Sequence, residues 1–188
     1  MTTTEQASAQ PALDSRESIL GWLWLGLALA LGFTTLGIAI WDEPLHIDEL
    51  RQVGYYTRDI RGIIDGASSQ LQPPLDYLIG AVVQKALWPA DAVWRLAGFG
   101  FAWLGMALIG GLFWKSRFSG WLAVGLLALT PVFLEFSSYA RPYALPFFLM
   151  MAAAWGFDRW RLTLRVPYLA LGGLAVLALP LSRTTEQP

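Results

Sequence analysis

The chain has 188 residues, 55% hydrophobic and only 14% charged, with a formal net charge of −1. Soluble domains carry about a quarter charged residues, and a near-neutral chain projects no field toward nucleic acid, so neither a water-bathed globule nor a nucleic-acid binder is expected. Cysteine is absent and histidine occurs once, at His46, which excludes disulfides, thiolate metal sites and a multi-histidine metal centre within one chain.

Residues 1–18 are polar, rich in Thr, Ser, Ala and Gln, and read as a disordered tail. Glu5, Asp14 and Glu17 outnumber Arg16 there and the apolar run behind them is long, a pattern for an uncleaved span rather than a signal peptide. That run, Ile19–Trp41, has roughly the 20 residues that a helix needs to cross hydrocarbon. A long loop follows, residues 42–92. Within it Ile47–Ile64 mixes charges with Leu50, Val53, Tyr55, Tyr56, Ile60 and Ile63 at the spacing of an amphipathic surface helix. Gly66, Ala67, Ser68 and Ser69 break the pattern, and Pro73-Pro74 stiffen the start of the next segment. Leu75–Trp88 is apolar but only about 14 residues long, too short to cross, and Asp76, Gln84 and Lys85 interrupt it. An interfacial or re-entrant helix is expected.

Further spans are expected at 93–114, 120–136 with a kink at Pro131, 142–157 and 166–181. The fold class is therefore an all-α integral membrane protein with about five transmembrane helices and juxtamembrane helices in its first loop. Lys115 and Arg117 follow one span, and Arg159, Arg161 and Arg165 follow another two crossings later, which puts those short loops and the N-terminus in the cytoplasm. The loop 42–92 and the turn Ser137–Arg141 then face outward, in a plasma-membrane, multi-pass topology. Arg51, Arg58, Arg61, Lys85 and Arg95 in the outer region count against it, but long loops obey the charge rule poorly.

Several residues carry chemistry. Asp48-Glu49 follows the first span, with Asp42-Glu43 and His46 nearby; such a carboxylate can serve as general base for a hydroxyl, hold a divalent cation, or be an ordinary solvated loop acid. No metal ligand set is assigned. Gln72-Pro73-Pro74-Leu75 either shapes a site or only punctuates the chain. Arg141, between Tyr139 and Tyr143, offers a forked donor for phosphate, or snorkels to headgroups. Glu135 lies among Phe133, Leu134 and Phe136 near a span end, where an ionisable group is costly and often functional.

In sequence order these features are a span, Asp-Glu in an outer loop, Pro-Pro-Leu opening a short apolar helix, Arg95-Leu96 leading into a span, and the turn Ser-Tyr-Ala-Arg-Pro-Tyr-Ala-Leu, Ser138–Leu145. This order resembles the N-terminal part of the GT-C superfamily of polytopic glycosyltransferases, among them protein O-mannosyltransferases and the lipid A aminoarabinose transferase. The resemblance covers most of Ile19–Trp160 through short, degenerate motifs. It implies an inverting transfer of a sugar from a polyprenyl-phosphate carrier at the outer face. Asp48 falls on the family's catalytic base with Glu49 beside it, and Asp42-Glu43 is a competing pair. Gln72 stands where relatives often have His or Lys before Pro73-Pro74, and Arg141 matches the Arg of the family's outer turn. Arg51, Arg58 and Lys85 are candidate cations for the carrier phosphate, and Tyr139 and Glu135 candidate substrate contacts. Implied partners are the carrier, membrane lipids and further membrane subunits; no cofactor is implied with certainty. Family members have more spans, so the chain reads as a truncated or N-terminal portion. The alternative is a non-catalytic scaffold or lipid-binding subunit. A small transporter or channel ranks last, because the spans hold almost no ionisable residues apart from Glu135.

Overall fold

A computed structural model describes residues 3–42, 45–69, 74–87, 91–113, 117–140 and 143–182, with the side chains of 3–18, 42, 68–69, 91–92 and 117–118 outside that description. Among the described residues the chain is all α, in nine helices: α1 Thr3–Asp42, α2 Ile47–Tyr56, α3 Ile60–Ser69, α4 Pro74–Ala86, α5 Asp91–Leu112, α6 Arg117–Ala128, α7 Pro131–Ser138, α8 Ala144–Thr163 and α9 Val166–Ser182.

The apolar residues of these helices sort them into three packed groups. Leu25, Ala28 and Leu36 of α1 meet Ala102, Met106 and Ile109 of α5 and Val124 and Ala128 of α6. A second group joins the helices of the first loop: Val53 and Tyr56 of α2, Ile63 and Ala67 of α3, and Tyr77 and Ala81 of α4, with Ala140. The third packs Leu145, Leu149, Ala152 and Ala153 of α8 on Ala175 of α9. Helix α5 is the hub, touching α1, α4, α6, α7 and α8. Helices α8 and α9 approach backbone to backbone: a Cβ on Gly156 would meet the Gly172 amide nitrogen at 2.8 Å and the Tyr168 carbonyl oxygen at 2.9 Å.

The five spans expected from the sequence, and the plasma-membrane, multi-pass placement built on them, are corrected by this architecture. Among the described residues two helical stretches are long and apolar enough to cross a bilayer, Ile19–Trp41 and Val93–Leu112, or three if the bent α6–α7 pair counts as one. The stretch 120–136 forms two helices, α6 and α7, whose axes differ by 68°, a broken span or a re-entrant loop. Pro131 is the cause: it occupies the first turn of α7 and Thr130 before it is extended, as the clash of a proline ring with the preceding residue requires. Helix α8 is 20 residues long, but each 18-residue stretch of it contains Asp158, Arg159 and Arg161. Helix α9 has 17 residues, about 26 Å at 1.5 Å per residue against a hydrocarbon core of about 30 Å. Apolar composition signalled these segments correctly as helices; their breaks and charged ends decide the crossing count.

The surface helix expected over Ile47–Ile64 is two helices, α2 and α3, separated at Thr57–Asp59. They bury one face against α4 and leave Ile47, Leu50, Ile60 and Ile64 exposed. The short apolar segment expected over Leu75–Trp88 is α4, 13 residues long.

Candidate functional site

Glu49 is fully buried, and its two carboxylate oxygens accept four hydrogen bonds. Oε1 accepts from Arg95 Nε at 3.0 Å and from the Ala140 amide at 2.6 Å. Oε2 accepts from Arg95 Nη2 at 2.8 Å and from the His46 amide at 2.8 Å. The last bond has a local cause: Glu49 is the third residue of α2, from which a glutamate side chain reaches back to the residue before the helix. The others are tertiary. Arg95 lies one turn into α5 and also donates to the Ile40 carbonyl at 3.4 Å, so a single ion pair joins the end of α1, the start of α2, α5 and the turn between α7 and α8.

Burial pushes the Glu49 carboxyl up, but the hydrogen bonds from Arg95, Ala140 and His46 and the charge of Arg95 outweigh it and hold the group below the ordinary glutamate range. A carboxylate so held is a poor base, with its lone pairs committed and its affinity for a proton lowered. Glu49, read from the sequence as catalytic alongside Asp48, has the surroundings of a structural anion.

Asp48 differs. One residue earlier on α2, its side chain is 46% exposed, with the Arg51 guanidinium 3.8 Å away. Around this helix start stand His46, whose ring centroid is 6.0 Å from that of Tyr139, and Tyr139 itself, whose hydroxyl donates to Glu135 Oε1 at 3.0 Å. The Ala140–Glu49 bond, spanning 91 residues of sequence, therefore brings Tyr139, the neighbour of Ala140, to the start of α2. Glu135 is exposed on α7.

Other expected site residues are dispersed. Pro74 is the first residue of α4, where its missing N–H goes unnoticed. Lys85 is exposed in the last turn of α4, about 14 Å along the helix axis from Asp76, at the end away from the Asp76–Gln52 contact. The Arg58 guanidinium lies over the Tyr55 ring, 4.3 Å from its centroid. Gln72, Pro73, Glu43 and Arg141 lie outside the described residues, as does the side chain of Asp42. Among the described residues no three His, Asp or Glu side chains converge as metal ligands.

A second polar cluster was not singled out from the sequence. Gln52, one turn beyond Asp48 on α2, donates through Nε2 to Tyr56 Oη at 2.8 Å and to Asp76 Oδ2 on α4 at 2.5 Å. All three residues are buried. Burial raises the Asp76 carboxyl to about 6, and the Gln52 hydrogen bond only partly offsets it. Burial, then the charge of Asp76, pushes the Tyr56 phenol well above its usual value, so it stays neutral. The available signal was an acid in the first turn of an apolar helix, just as Arg95 is a lone cation early in an apolar one; such groups need partners from elsewhere in the fold.

Comparison with protein-family models, with curated proteins and with solved structures gave no match.

Proposed function

We propose that this chain carries a sugar-transfer site that uses a polyprenyl-phosphate donor, with Asp48 as the general base. The acceptor hydroxyl attacks the anomeric carbon as its proton passes to the Asp48 carboxylate. The bond from that carbon to the phosphate oxygen breaks with its electrons on the phosphate, and the anomeric configuration inverts. Arg51, beside Asp48, and Arg141 are the cations proposed for the departing phosphate, since charge-assisted contacts to its oxygens stabilise the leaving group.

The observation that carries this reading is the division of labour within the acidic pair. Glu49 is buried and consumed by four hydrogen bonds, while its neighbour Asp48 reaches solvent from a helix start that those bonds fix in place. A base must be ionised, accessible and held still, and Asp48 meets the last two conditions through Glu49. Two further features support it. The order of short motifs resembles that of glycosyltransferases using such donors. An apolar cavity of about 250 Å³ between α1 and α6, lined among others by Trp24, Leu27, Leu31, Trp121, Leu126 and Leu129, offers an isoprenoid chain a dry wall.

The second reading, a non-catalytic scaffold or lipid-binding module, is favoured by the same commitment of Glu49 to structure. Transfer of radiolabelled sugar from a purified polyprenyl-phosphate donor separates the two. Asp48→Asn should lower turnover by about 10²–10⁴, the usual weight of general-base catalysis, with donor binding retained. Donor binding without transfer by the unaltered chain would favour the scaffold.

A further inference from the structure

We propose that the contact between α2 and α4 is a proton-operated latch, in which one proton on Asp76 sets how firmly α2 is held.

The geometry comes first. Asp76 is 8% exposed, and its hydrogen-bond partner is a neutral amide, Gln52 Nε2, reaching across from α2. Each element packed on α4 can be searched for a compensating charge. On α2 the facing groups are Gln52, the neutral phenol of Tyr56 and, further along, Glu49, an anion. On α5 the buried cation is Arg95, whose Nε and Nη2 are spent on Glu49. Helix α3 turns Ile63, Gly66 and Ala67 inward while Arg61 and Asp65 stay exposed, and α9 buries Gly172, Ala175 and Ser182. On α4 itself the buried neighbour is Tyr77, another phenol. Among the described residues, then, an ionised Asp76 is a buried anion with one neutral donor and no ion pair.

An amide suits both protonation states. Its N–H₂ meets the carboxylate, and after a half-turn its carbonyl oxygen accepts from the acid's O–H. The hydrogen bond survives either way, so the two states differ in whether a charge is buried. The start of α4 favours the anion through its partial positive charge, yet burial prevails, as the raised carboxyl shows. Below about pH 6 the α2–α4 contact is neutral and closed; above it the contact loosens or admits water. Asp48 lies one turn from Gln52 on α2, so the latch acts on the helix that carries that carboxylate. The latch itself does not depend on sugar transfer, and its test reads no activity.

The measurement is carboxyl-carbon NMR of the full chain labelled with [¹³C]Asp in nanodiscs, with the Asp76 resonance identified by its loss in Asp76→Asn. A midpoint at about 6 is expected. Amide protection of Gln52, Val53 and Tyr56, corrected for intrinsic exchange, should fall by up to about 100-fold as pH rises from 3.8 to about 6 and level off above it, the ceiling set by a shift of about two units. In Asp76→Asn that protection should not change with pH. Should Asp76→Asn not fold, Gln52→Met provides the check: loss of the donor should move the Asp76 midpoint further up. A midpoint near 4, an unmoved midpoint in Gln52→Met, or the same fall of protection in Asp76→Asn overturns the latch.

Discussion

Two adjacent carboxylates, Asp48 and Glu49, differ by one position on a helix, about 100° of rotation, and that rotation separates their roles. Glu49→Gln keeps the size but removes the buried carboxylate charge that accepts from Arg95 Nε and Nη2. Breaking a buried pair from one side costs about 3–5 kcal/mol, so unfolding followed in detergent should show a loss of that order. Glu49→Gln combined with Arg95→Met should lose less than the two single changes summed, because no buried charge remains. The same residues shape the pH dependence of stability. The Asp76 carboxyl is raised from 3.8 to about 6 on folding, so the folded state holds its proton more tightly. Its contribution is complete below the unfolded value and is lost as pH rises to about 6, amounting to about 3 kcal/mol. The Glu49 carboxyl is lowered on folding, so its contribution is present above its ordinary 4.5 and is lost as pH falls below that. Stability measured against pH should therefore peak on the acid side of neutrality, and Asp76→Asn should flatten only the decline that ends at about 6. The Asp-Glu pair was legible in the sequence by type and place. Its division was not, because that depends on an Arg 46 residues away and an amide 91 residues away.

At the scale of elements, close approaches between helices give the most direct checks. Gly80 of α4 lies beneath the ring of Tyr56, which the Gln52 hydrogen bond holds in place. Gly80→Ala would drive a methyl into that buried ring and should cost about 1–3 kcal/mol, with the loss of amide protection concentrated in α2. Gly156→Ala should cost a similar amount and open α8 from α9 instead, since the obstacle is the Gly172 backbone at 2.8 Å. From Ile19 onward helix existence was legible, from apolar runs and from Pro at the starts of α4 and α7, whereas residues 3–18, read as a disordered tail, belong to α1. The lengths that decide a crossing were less so. Pro131 read as a kink, and the structure has a 68° break there, with α7 packed on α1 and α5. The expected helix over Ile47–Ile64 carries one amphipathic pattern, but Thr57–Asp59 interrupts it so that α2 and α3 can each place an apolar face on α4.

For the molecule as a whole, Arg95–Glu49 is where distant parts of the chain meet: the longest apolar helix, the helices of the first loop and the turn before α8. Whole-chain composition revealed the apolar character and the helical class, yet the number of crossings followed from helix ends that composition averages away. In the reading proposed above, Glu49 holds the site and Asp48 acts in it. Its most direct test is a paired measurement of unfolding temperature and sugar transfer on Asp48→Asn and Glu49→Gln. Asp48→Asn should keep the unfolding temperature and lose about 10²–10⁴ in turnover, while Glu49→Gln should unfold at a clearly lower temperature. Full transfer by Asp48→Asn together with an unchanged unfolding temperature for Glu49→Gln would contradict the account.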